Sequence, residues 1–135
     1  MTGCKLKFGD DIERSGAEFD AHTLTQVSTL TGLSFPVGTE GQEYLFLGSG
    51  VDEALAAKVR IPDEQVEAFL ENEVFRSGDE GKPGIQIGKG RKWWNPDGLR
   101  ERQDRRMDLP KARVLEVSCG REGEAFVAYL SWMTS

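Results

Sequence analysis

The sequence predicts an α+β domain: a small antiparallel sheet with one main helix packed on one face, plus a long irregular loop. Three observations carry that expectation. Four segments, 42–48, 53–61, 112–119 and 124–132, have the apolar content or alternation of strands. One segment, behind Pro62-Asp63, repeats apolar residues at helical spacing. A chain of 135 residues is one domain long, and a domain of that size folds without a metal or a disulfide.

Residues 1–20 read as an N-terminal tether or loosely ordered arm, because 5–20 are polar around two lone phenylalanines. Residues 21–135 read as a single α+β domain. Leu24, Val27, Leu30 and Leu33 recur at spacing three, which fits one face of a short helix ended by Gly32. Residues 42–48, QEYLFLG, suit a strand. Residues 53–61 alternate, with Leu55, Ala57, Val59 and Ile61 on one face and Lys58 and Arg60 on the other. The two segments are expected to pair antiparallel, with a turn at 48–52.

Asp63 is placed to cap a helix whose apolar stripe is Val66, Phe69, Leu70 and Val74 and whose outer face is Glu67, Glu71 and Glu73. Residues 76–113 have no sustained period and hold six glycines and three prolines between 78 and 110, so a long loop is expected. Within it, Ile85 and Ile87 suit a brief strand and 97–107 a short polar turn of helix. The last two strands are joined by a turn at 120–123. Leu115, Val117 and Cys119 share one face, as do Phe126, Ala128, Leu130 and Trp132.

Charge is segregated along the chain. Residues 1–81 carry 6 basic and 16 acidic side chains, residues 82–113 carry 10 and 4, and residues 114–135 carry 1 and 3. The basic centre is densest at KGRKWWNPDGLRERQDRR (89–106), seven cations with two adjacent tryptophans. Folding back onto the domain's own acidic surface is one reading of this segment, and an exposed partner site is the other. Arginine with tryptophan suits phosphate contact and base stacking, protein hot spots, or a structural aromatic anchor. Nucleic acid is disfavoured by the net charge of −6. WWNP is expected to pin the loop to the sheet, and 98–106 to be the mobile basic part that meets a partner.

Catalytic patterns are sparse. His22 is the one histidine, so no histidine cluster forms a zinc site, and it reads as a surface or capping residue. GIQIGKG (84–90) misses the phosphate-loop spacing by one residue and has Gly90 where Ser or Thr would hold magnesium. No enzyme activity, cofactor or metal site is expected. Cys4 and Cys119 are able to pair in an oxidising compartment, but Cys119, in an apolar strand pattern, is more simply a small buried hydrophobe. Thr2-Gly3-Cys4 has the form of a lipobox end if the chain is trimmed, and of an ordinary cytoplasmic start otherwise.

The order LSFPVG (33–38), GSGVDEALAAKVRIP (48–62), VEAFL (66–70), WWNP (93–96) and a terminal hairpin resembles a group of small actinobacterial lipoproteins of uncharacterised function. The resemblance covers about residues 30–132. It implies export and lipidation at Cys4, and a cell-surface location with the membrane reached only through that anchor. It carries no activity, and the heavily basic loop after Trp94 departs from the group. The expected function is a non-enzymatic module that contacts another protein, with an inhibitor or immunity-type role as a special case. Its partner residues are expected to be Trp93, Trp94, Arg100, Arg102, Arg105 and Arg106, with Glu67, Glu71 and Glu73 as a second surface. The alternative is a small-ligand receptor with residues 76–111 as its lid.

Overall fold

The computed structural model describes residues 11–48 and 52–134. Among these, seven strands form one antiparallel sheet, and the fold is α+β as expected. The strands are β1 (Ile12–Ser15), β2 (Glu40–Leu47), β3 (Ala54–Ile61), β4 (Asp79–Glu80), β5 (Arg100–Leu109), β6 (Arg113–Glu122) and β7 (Ala125–Thr134). Their spatial order is β1-β2-β3-β7-β6-β5-β4. The last strand therefore lies at the centre, paired with β3 from Ala54↔Met133 to Ile61↔Phe126. It joins an N-terminal meander to a C-terminal one.

One face of the sheet is the core. Leu55, Ala57, Val59 and Ile61 of β3 meet Leu115, Val117 and Cys119 of β6 and Phe126, Ala128, Leu130 and Trp132 of β7, all buried. This is the face that sequence alternation assigns, because a period of two sends every second side chain inward. Helix α1 (Ala21–Thr31) lies on it through Val27, with Leu24 and Leu30 partly buried. Gly32 ends α1 with φ 78°, a left-handed cap that glycine adopts without strain. Asp20 caps the start by accepting the Thr23 amide at 3.0 Å, and that bond holds its carboxyl below the ordinary value. His22 is exposed in the first turn.

The expected long helix after Pro62 is instead broken. A 3₁₀ turn (Asp63–Gln65) leads to α2 (Val66–Phe69), and after a gap comes α3 (Glu73–Ser77). Asn72 makes the break. Its backbone is extended in ψ (φ −58°, ψ 150°), its amide Nδ2 donates to the Phe69 and Ser34 carbonyls, and its Oδ1 accepts the Ser34 amide at 2.7 Å. A side chain that bonds the backbone competes with helix continuation. Phe69 and Val74 still reach the core from either side of the break. Asp63 does not cap this segment; it receives Arg121 at 2.6 Å.

Three further expectations are corrected. Residues 12–15, read as part of a loose arm, form β1 against β2, and Phe19 is buried against Tyr44; residues 1–10 lie outside the described residues. Residues 100–109, read as loop and polar helix, form a ten-residue strand. The final hairpin turns at Gly123-Glu124, with Gly123 at φ 63°, and Gly120 is inside β6. Gly120 is there for close approach: a Cβ on it would lie 2.6 Å from the Arg100 carbonyl, where β5 is bulged and Glu101 has φ 55°.

Gly120→Ala should lower stability by about 1–3 kcal/mol, the usual range for overpacking. A urea midpoint equal to that of the native sequence would show that β5 yields freely at this contact.

Candidate functional site

The second face of the sheet is covered by residues 81–99 rather than by a helix. Its anchor is Glu116, in the middle of β6, whose side chain is only 2% exposed. A buried carboxylate is costly unless hydrogen-bonded and paired. Glu116 accepts the Gly84 amide at 2.7 Å and the Ile85 amide at 2.9 Å, and the Arg106 guanidinium donates to it at 2.6 Å from β5. The glycine-rich stretch 84–90 thus cradles an anion after all, and the anion is the domain's own. One step further on, the Ile87 amide donates to Ser131 Oγ of β7 at 3.1 Å.

The aromatic anchor comes next. Trp94 stands edge-on to Tyr129 of β7, with ring centroids 5.2 Å apart, and joins a small apolar cluster with Leu99, Val127 and Ala125. Gly88 lies directly beneath the indole, where a Cβ would come within 2.4 Å of the ring. The Trp94 indole N–H donates to the Gln86 side chain at 3.4 Å. Tyr129 donates its hydroxyl to Glu122 at 2.6 Å, and Lys58 of β3 donates to the same carboxylate at 2.7 Å. Burial and the Glu122 carboxylate push the Tyr129 hydroxyl well above its ordinary value. Burial alone would raise Glu122, but the bonds from Lys58 and Tyr129 together hold it below the ordinary carboxyl value.

The arginines expected to meet a partner are engaged within the domain. Arg102 bridges Asp97 at 2.7 Å and Asp104 at 2.8 Å, and Asp104 also receives the Ser118 hydroxyl. Arg105 donates to the Asp104 carbonyl and lies 3.8 Å from Glu80. Arg106 holds Glu116, and Arg100 donates to the Gly123 carbonyl. Residues 100–106 are thus ordered strand, not the mobile segment expected, and the charges of Arg102, Arg105 and Arg106 are answered locally. Of the tryptophans, Trp94 is the pin, while Trp93 is half-buried and edge-on to it at 5.7 Å.

Glu67, Glu71 and Glu73 are exposed on α2, α3 and the turn between them, on the other side of the sheet from Trp94. Glu73 accepts the Ser77 hydroxyl; among the described residues Glu64, Glu67 and Glu71 have no cation partner. Sequence reasoning missed Glu116 and Tyr129. The visible signal was an acid inside the apolar run VLEV (114–117).

Nucleophilic chemistry gains nothing from the geometry. Cys119 is fully buried, and burial pushes its thiol up to about 12, far from the thiolate a nucleophile needs. Among the described residues no group of three or more His, Cys, Asp or Glu side chains is arranged to hold a metal ion, and no helix is long and apolar enough to cross a membrane. Cys4, with its lipidation or pairing, lies outside the described residues.

Two outcomes follow from these contacts. Trp94→Ala should cost about 2–4 kcal/mol of stability and Trp93→Ala less than about 1, measured by urea unfolding. Alkali should also unfold the protein. Cys119 and Tyr129 stay protonated in the native state above their ordinary values of 9.0 and 10.0, so the unfolded chain releases protons first. Stability therefore falls as pH rises from 9.0, and the thiol's share is lost by about 12. Cys119→Ala should move the onset toward 10.0, the Tyr129 value. Comparison of the chain with protein-family models, curated proteins and solved structures finds no significant match.

Proposed function

We propose that this domain is a non-enzymatic module that binds another protein through its acidic helical side, in the manner of an inhibitor or immunity-type protein. One observation carries the reading. Arg102, Arg105 and Arg106 are paired with Asp97, Asp104, Glu80 and Glu116, whereas Glu64, Glu67, Glu71 and Glu73 are exposed and, among the described residues, have no cation partner. These free acids give the helical side a surface that fits a basic partner. Asn72 stiffens that side by tying the α2–α3 turn to Ser34. Rigid presentation lowers the ordering cost of binding.

The resemblance to actinobacterial lipoproteins supplies the rest of the proposal, a cell-surface position with a lipid on Cys4. The small-ligand alternative, with residues 76–111 as a lid, has less support. Gly84, Ile85, Ile87 and Trp94 bond or pack directly on the sheet.

The test is a pull-down from the native cell surface with the domain as bait, followed by association kinetics with the protein recovered. Glu67→Lys with Glu71→Lys should slow association roughly tenfold or more, and the gap should narrow as salt rises. An unchanged on-rate in the double variant, with unfolding midpoints alike, would remove the acidic side from the interface.

A further inference from the structure

Residues 89–93 are the part of the basic segment that the domain does not use. Lys89, Gly90, Arg91 and Lys92 are all exposed, and Trp93 follows half-buried. Among the described residues the Lys89 and Lys92 side chains make no hydrogen bond or ion pair, and Arg91 reaches Glu13 of β1 only at 3.4 Å with both side chains partly exposed. The tip is nevertheless held in shape. The Lys89 amide bonds the Gln86 carbonyl, the Arg91 amide the Gly88 carbonyl and the Trp94 amide the Arg91 carbonyl, each at 3.0 Å. Trp94, wedged between Gly88 and Tyr129, fixes the base. A turn of three cations and one accessible indole thus projects from a rigid mount.

We propose that this tip is a peripheral contact for an anionic lipid surface. Its composition separates that partner from an acidic protein. Two of the three cations are lysines, compact and strongly hydrated charges that suit a diffuse layer of headgroups better than bidentate pairing to a fixed carboxylate. Lysine is depleted in protein interfaces, and indole rings favour the membrane–water boundary. The net charge of −6 does not forbid the contact. At physiological salt, charges more than about 8 Å from the surface are largely screened, so the membrane senses the tip. Glu13 opposes the tip only through its 3.4 Å contact with Arg91. The tip lies on the opposite side of the sheet from α2 and α3, so lipid contact leaves the acidic helical side free. The inference needs neither the proposed protein partner nor a lipid on Cys4.

Co-sedimentation of the intact domain with vesicles tests it. Vesicles of phosphatidylcholine mixed with phosphatidylglycerol should retain the protein, vesicles of phosphatidylcholine alone should not, and added salt should release it. Lys89→Glu with Lys92→Glu should weaken retention at least about tenfold without changing the thermal midpoint, because both side chains are solvent-borne. Trp93→Ala should abolish the blue shift of tryptophan fluorescence on binding, while Glu67→Lys with Glu71→Lys leaves retention intact. Equal retention on neutral vesicles, no retention on either, or retention unaffected by Lys89→Glu with Lys92→Glu would overturn the proposal. So would binding of this tip to immobilised polyglutamate with none to anionic vesicles, which would assign it to an acidic protein instead.

Discussion

The buried carboxylate of Glu116 organises the second half of this molecule. A negative charge in the middle of a central strand is tolerable only with partners. The sheet supplies Arg106, and the chain supplies two backbone amides at Gly84 and Ile85. Those amides come from the long irregular stretch that leaves β4, so meeting the needs of Glu116 lays that stretch across the sheet. The path then runs over Ser131 and Tyr129 toward Glu13 on the far edge before returning to β5. Irregular backbone can cover a sheet when its polar groups find partners there.

The same constraint explains the distribution of charge. A basic run in an acidic protein invites a search for an external anion. Here four of the run's seven cations lie on a strand near the sheet edge, where Arg102, Arg105 and Arg106 answer carboxylates from β4, β5, β6 and the Asp97 turn. Charged residues along such a strand also discourage pairing with another chain. Two clusters, without ion-pair partners among the described residues except for Arg91 with Glu13, lie on opposite sides of the sheet. The acids of α2 and α3 lie on one side, and the tip at residues 89–93 on the other.

The sheet core was legible because its strands obey the period of two. Leu55, Val59, Leu115, Val117, Leu130 and Trp132 all fall where alternation places them. Helix α1 was legible from its stripe and from Gly32. Strand β5 was not, since RERQDRRMDL is charged along most of its length: one side meets ion-pair partners, and on the other only Met107 and Leu109 are apolar and pack against the core. The break at Asn72 was also hidden. The stripe through Val66, Phe69 and Val74 continues past it, and the competing bonds come from Ser34, far away in sequence.

The sequence by itself determined the fold class, the inward face of three strands and the WWNP stretch as the aromatic pin, while the structure chose Trp94 over Trp93. Each of these depends on local periodicity or on one bulky ring that must leave water. Only the tertiary structure decided which charges are spent and which are free. That outcome turns on contacts between residues far apart in the chain, such as Gly84 with Glu116 and Arg121 with Asp63. A charge in a sequence carries its sign but not its partner, and the partner determines whether it holds the fold together or meets something outside it.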